Sequence, residues 1–258
     1  MDAVQEHVTA VVRRFDPTRE KTPRYVEYEV PYVKGMKVLD AVRYIQRNLD
    51  GTLAYRWNCR EGICGSCAME VDGKPVLTCK TEVRGKMLIE PMLSFPCVKD
   101  LVADVREVRE KLAKLSPWLA PRPEEDAKKE FWRIKEHELH EAEEARLCIE
   151  CYICYDVCHV IRNHKELPFP GPVNIVHAVG LDRHPKDSMD RSLFMHKDIW
   201  NCNMNRCCSS SCPQGIRITE NFITYAKERI VEENNIVNAL IRRVRNKPGP
   251  LDSWGERK

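Results

Sequence analysis

Asn58–Met69 reads NCREGICGSCAM. Cys59, Cys64 and Cys67 crowd into nine residues, and Cys79 follows to complete C-x4-C-x2-C-x11-C. Four thiolates at that spacing can hold a two-iron, two-sulfur cluster, three on one short loop and the fourth from a neighbouring strand. Gly62 and Gly65 lie inside the loop, where a wrapping backbone needs positive φ or close approach. Such a loop can also aim backbone N–H groups at the sulfurs. The competing occupant is structural zinc, which prefers paired C-x2–4-C knuckles separated by a spacer. The crowding here fits zinc poorly.

Outward from this loop the pattern is mixed strand and helix. Val8–Phe15 and Tyr25–Val33 are rich in β-branched and aromatic residues and predict strands. Val38, Val42, Ile45 and Leu49 form the stripe of an amphipathic helix that Asp50-Gly51 ends. Cys67–Val71 and Pro75–Lys80 predict a hairpin joined through Asp72-Gly73, and Lys86–Glu90 adds a strand. Leu101, Val105, Val108, Leu112 and Leu115 then predict a helix, which the proline-rich Ser116–Pro123 breaks. Glu124–Leu147 reads as a charged, mostly exposed helix, and another helix follows Pro172. Arg217–Glu233 carries Phe222, Tyr225, Ala226 and Ile230 on one face. The expected class is α+β: a sheet domain over 1–105, a mainly helical domain over 106–240, and a basic tail over 241–258.

Two further cysteine runs lie in the helical half. Cys148, Cys151, Cys154 and Cys158 form C-x2-C-x2-C-x3-C, the bacterial ferredoxin run, whose fourth cysteine ligates the other cluster of a two-cluster protein. Cys202, Cys208 and Cys212, followed by Pro213, fit the same pattern with Asn205 at its second cysteine position. Under the exchange rule Cys148, Cys151, Cys154 and Cys212 hold a four-iron cluster. Cys158, Cys202 and Cys208 leave one iron of the other cubane without a thiolate, which predicts a three-iron, four-sulfur cluster. The competing view makes Cys207 a fourth ligand. Otherwise Cys97 and Cys207 are spare, with Cys97 read as a small buried hydrophobe.

The chain totals bound the rest. There are 13 cysteines in 258 residues, an odd number that excludes complete pairing. No basic start followed by an apolar core opens the sequence, so reduced, clustered thiols point to metal before disulfides. A net charge of +3 gives no sign of nucleic-acid binding. No stretch reaches the roughly 20 apolar residues needed to span a bilayer, so a membrane link is expected through a partner. Arg242, Arg243, Arg245 and Lys247 form a basic tail, read either as a solvated end or as contact with an anionic membrane surface.

Together, NCREGICGSCAM, CIECYIC with Cys158, CNMNRCCSSSCP and Val98–Val105 (VKDLVADV) resemble the iron–sulfur subunit of succinate dehydrogenase and fumarate reductase, in order and spacing. The resemblance covers roughly residues 8–235 and implies a β-grasp ferredoxin domain followed by a helical ferredoxin-like domain. It implies a flavoprotein partner carrying FAD, membrane anchor subunits with a quinone site and, where the anchor carries it, heme b. It also implies a peripheral place on the cytoplasmic face of a prokaryotic membrane, and no acid, base or nucleophile on this chain. The alternative is the wire of a soluble fumarate reductase or heterodisulfide-type enzyme. In those a further cysteine-rich domain usually follows, whereas this sequence turns basic after Asn234. The sequence departs from the family at the quinone end, where His159, Asn163 and Asn203 replace the usual Pro, Trp and His. His159, Trp200 and Asn203 are candidates to line a quinone pocket; the plainer reading has His159 bonding backbone and Trp200 packing in a subunit interface.

Overall fold

The computed structural model describes residues 7–120, 134–189, 191 and 198–234. Alternation in β1 (His7–Arg14) sends Val8, Ala10 and Val12 into the core. Each buried valine contributes about 1.5–3 kcal/mol. The same period of two carries Arg14 inside. Its guanidinium donates to Asp100 at 3.0 Å, to Tyr28 Oη and Thr52 Oγ1 at 2.9 Å each, and to Asp50. A buried cation is tolerated when it is paired and hydrogen-bonded in this way.

β1 runs antiparallel to β2 (Arg24–Pro31) and parallel to the later strand Lys86–Glu90. Between them come α1 (Val38–Tyr44), β3 (Ala68–Val71) and β4 (Lys74–Leu77), so Lys86–Glu90 is β5. The sheet order is β2-β1-β5-β3-β4. The β3–β4 turn places Asp72 at φ 51° and Gly73 at φ 75°, the paired left-handed conformations of a type I′ hairpin. α1 continues as a π-helical turn over Ile45–Leu49 and buries Val38, Ala41, Val42 and Ile45 against the sheet. A helix held by a mixed five-stranded sheet is the expected β-grasp, and with the helical second half the class is α+β.

The helix predicted from Leu101 begins later. Cys97–Lys99 (β6) pairs with Val102–Ala103 (β7), and α2 covers only Arg106–Ala113. Asp100 is the cause. Its backbone is left-handed, at φ 46°. Its carboxylate accepts from the Phe15 N–H at 3.0 Å and the Ala54 N–H at 2.9 Å, besides Arg14. A helix through Asp100 would give up all three bonds.

The second half contains α3 (Glu136–Glu143), α4 (Ile153–Asp156), α5 (His159–Asn163), α6 (Pro172–Asp182), α7 (Cys207–Ser211) and α8 (Thr224–Asn234). Of the helix expected over Glu124–Leu147, the portion before residue 134 lies outside the described residues, as does the basic tail. The expected apolar face is present: Phe222, Ala226 and Ile230 are buried, with a π-helical segment over Ile218–Ile223 leading into α8. One core joins the halves. Leu39, Leu77, Met92 and Phe95 pack with Ile153, Tyr155 and Ile161, and the Phe95 and Tyr155 rings lie 5.1 Å apart. Arg162 of α5 reaches both Glu70 of β3 and Asp156 of α4. Among the described residues no helix is long and apolar enough to cross a membrane.

Candidate iron–sulfur centres

The first cysteine set is assembled by the β3–β4 hairpin. Cys67 lies just before β3 and Cys79 just after β4. Thr78 ties them, donating to the Cys67 carbonyl through its N–H at 3.3 Å and its hydroxyl at 2.8 Å. The Cys79 thiol lies against Cys67 and senses Cys59, which in turn contacts Cys64. The four predicted ligands therefore meet. Backbone N–H groups of Glu61, Ile63 and Cys64 point at Cys59 and bring its thiol down to about 7, while burial pushes Cys79 up to about 11. The Glu61 N–H to Cys59 Sγ distance is 3.3 Å. The Gly62 N–H points at Cys79.

The two later runs share one backbone path. Glu150 and Met204 have φ of 50° and 57°, and Tyr152 and Arg206 have φ of 62° and 64°. Each second left-handed residue caps a short helix, α4 or α7. In this correspondence Cys148 matches Cys202, Cys154 matches Cys208 and Cys158 matches Cys212. Asn205 takes the place of Cys151, and Cys207 takes that of Ile153.

Cys148, Cys151, Cys154 and Cys212 line one cavity together with Val173, Val176, Ile216 and Ile218. Burial pushes the Cys154 thiol well above its usual value and Cys151 up to about 12. The N–H groups of Glu150, Ile153 and Tyr155 point at Cys148, Cys151 and Cys154 and pull the other way. These donors stabilise thiolates, the form that binds metal.

The third set gathers around a cysteine that its spacing leaves spare. Cys207 lies against both Cys158 and Cys208, and Cys202 is close enough to feel its charge. Adjacency to Cys208 is its only signal in the sequence. The Met204 N–H lies 3.4 Å from Cys202 Sγ, and Thr219 Oγ1 lies 3.2 Å from Cys208 Sγ. Lys227 Nζ donates to the Cys202 carbonyl at 2.7 Å and sits 5.2 Å from the centre of the Trp200 ring. No spacing rule singles out Thr219 or Lys227. Cys97, by contrast, is only half-buried, and its thiol lies 3.5 Å from the Asp100 carbonyl. The buried hydrophobe expected at this position is thus only partly buried and has a polar neighbour.

His159, Trp200 and Asn203 are all exposed, each adjoining a member of the third set or its loop. His159 opens α5 directly after Cys158, its N–H points at Cys207, and its ring is 5.3 Å from that of His164. Asn205 is exposed, whereas Cys151, at the matching place, is buried.

Among the described residues no three thiol, imidazole or carboxylate side chains close around a single-ion site. The donor sets contain cysteine only, are fringed by N–H groups and, for the second set, have apolar walls. That chemistry fits iron–sulfur clusters, which soft thiolates select and N–H···S bonds tune.

The first two sets touch. A Cβ on Gly65 would fall 2.7 Å from both Cys151 Cα and the Ile149 carbonyl oxygen. Gln214 Nε2, two residues past Cys212, donates to the Gly62 carbonyl at 3.0 Å.

Residues 9–110 match the family described as a 2Fe-2S iron-sulfur cluster binding domain, and residues 144–216 match the 4Fe-4S dicluster domain. The fumarate reductase iron-sulfur subunit of Mycobacterium tuberculosis is 33% identical over 219 residues, covering 83% of this chain and 89% of that protein. The subunit of the same description from Haemophilus influenzae is 31% identical, covering 85% and 93%. A subunit of the CoM/CoB fumarate reductase of Methanothermobacter marburgensis is 30% identical, covering 82% of this chain but 42% of that longer protein. Among solved structures, a chain of the Mycobacterium smegmatis Sdh1 complex in the apo form aligns with a TM-score of 0.82 at 33% identity, covering 90% of this chain and 98% of that one.

Proposed function

Because the chain belongs to the family of fumarate reductase and succinate dehydrogenase iron–sulfur subunits, we propose that it relays electrons one at a time between FAD in a flavoprotein subunit and a membrane quinone. The relay uses [2Fe-2S], [4Fe-4S] and [3Fe-4S] clusters, which supply one-electron redox chemistry when bound. Cys59, Cys64, Cys67 and Cys79 hold the first. Cys148, Cys151, Cys154 and Cys212 hold the second. Cys158, Cys202 and Cys208 hold the third. The chain's part is to supply thiolates, exclude water from the second set, and set potentials through N–H groups aimed at sulfur.

The observation that carries the third assignment is the doubled backbone, with Asn205 standing where Cys151 stands. Cys207 repeats the position of Ile153, which is a core residue. We therefore read its contacts with Cys158 and Cys208 as packing beside the cluster, its backbone place being that of Ile153 and not that of the second ligand Cys151. Electron paramagnetic resonance (EPR) of two variants tests this. Asn205→Cys is expected to convert the three-iron signal of the oxidised protein to a four-iron cluster, and Cys207→Ser to leave the three-iron signal in place. Loss or conversion of that signal in Cys207→Ser would refute the assignment.

The third set faces the quinone side, where His159, Trp200 and Asn203 offer exposed lining and Lys227 adds a positive charge. Anchor subunits hold the chain on the cytoplasmic face of a prokaryotic membrane. The relative from Methanothermobacter marburgensis favours a second reading, the wire of a soluble fumarate reductase. Co-purification separates the two: the leading reading requires a flavoprotein and a membrane anchor to travel with the chain.

A further inference from the structure

We propose that electrons cross between the first and second cysteine sets at the contact of Gly65 with Cys151, and that Gln214 is the positioning residue that holds this contact closed. The proposal rests on the ligand reading above. Gly65 adjoins Cys64 in sequence, and its backbone is buried against Cys151 itself, so the residue next to a ligand of one set packs directly on a ligand of the other. The closeness is possible because residue 65 has no side chain: a Cβ there would overlap Cys151 Cα and the Ile149 carbonyl oxygen at 2.7 Å.

On this side a cleft opens beside the contact, between Ile63–Ser66 and Cys148–Tyr152. Gln214 bridges the opposite side. Its amide donates to Gly62, 152 residues away in sequence, while Gly62 turns its own N–H to Cys79. The clamp thus joins the Cys212 segment of one set to the Cys79 neighbourhood of the other. One electron leaves the first set and one enters the second per step, with no proton transferred. The reductant is the reduced flavin of the partner subunit or, in the test, a radiolytic electron donor.

The test uses Gln214→Met, which keeps the length of the side chain and removes the donor, and Gln214→Lys, which restores a donor. Both are made in the full assembled complex. Iron content and the midpoint potentials of the first two clusters are expected to match the parent. The electron equilibration rate after pulsed one-electron reduction, and the spin–spin coupling between the two reduced clusters, are expected to fall in Gln214→Met and to recover in Gln214→Lys. An unchanged rate and coupling in Gln214→Met overturn the proposal. Changed potentials with an unchanged coupling also overturn it, because they mark a tuning role. The ligand reading fails separately, if Cys212→Ser retains the parent four-iron signal.

Discussion

Replacing Arg162 by leucine is expected to destabilise the joint between the two halves by about 3 kcal/mol, the lower end of the roughly 3–5 kcal/mol that breaking a buried ion pair costs. Glu70 and Asp156 are essentially inaccessible, with side chains 1% and 0% exposed, and Arg162 is the cation they share. Burial already raises the Asp156 carboxyl above its usual range, and the neighbouring Glu70 adds to this, so the site has little tolerance for losing its positive charge. Arg162 is itself one-third exposed, which admits water and places the cost at the lower end. Asp156 also accepts from the Ser94 N–H at 2.8 Å and lies two residues before Cys158. Thermal bleaching of the clusters should therefore begin about 6–12 °C lower, at about 2–4 °C per kcal/mol for a chain of this size. Adding Glu70→Gln and Asp156→Asn to the same variant should recover most of the loss. An unshifted transition in Arg162→Leu would show that the carboxylates are neutralised by other means.

Gly65→Ala is the second large effect. An alanine held at φ +68° costs about 1–2 kcal/mol in backbone strain. Its methyl group would also meet backbone atoms of Ile149 and Cys151 at 2.7 Å, and backbone cannot swing aside as a side chain can. The loops must part, and both carry ligands: Cys64 and Cys67 flank Gly65 on one, and Cys148 and Cys151 flank the clash on the other. We expect the two-iron and four-iron signals and their share of the iron both to be strongly diminished. Gly73→Ala is the control. Its φ is +75°, but nothing lies within 4 Å of the added Cβ, so only the conformational cost applies and iron content should hold. Equal iron loss in both variants would show that backbone strain, not the inter-loop contact, decides the outcome.

What is legible in the sequence is what is local. Ligand spacing is local, because three thiols of each of the first two sets sit on one loop or run, and so Cys59–Cys67 and Cys148–Cys154 can be grouped without knowledge of the fold. Strand alternation in β1 and the Asp72-Gly73 turn are local as well. The features that escape sequence reading join distant residues. Asp100 delays the start of the expected helix through bonds to Arg14, Phe15 and Ala54, none near it in sequence. The Arg162–Glu70 pair spans 92 residues and the Gln214–Gly62 bond spans 152. Thr219, in the π-helical segment, and Lys227, in the α8 it leads into, reach their cysteines only in the folded chain. The closeness of Cys207 to Cys158 has no trace in their spacing, because only the packing of α4 against α7 brings the two together.

Iron quantification joined to low-temperature EPR of the oxidised, unmodified protein tests the division of the cysteines most directly. The account predicts about nine irons per chain and a three-iron signal as the paramagnetic species of the oxidised state. An oxidised protein with about ten irons and no three-iron signal would contradict it and place a fourth ligand at the third set, while a colourless protein carrying zinc would contradict it altogether.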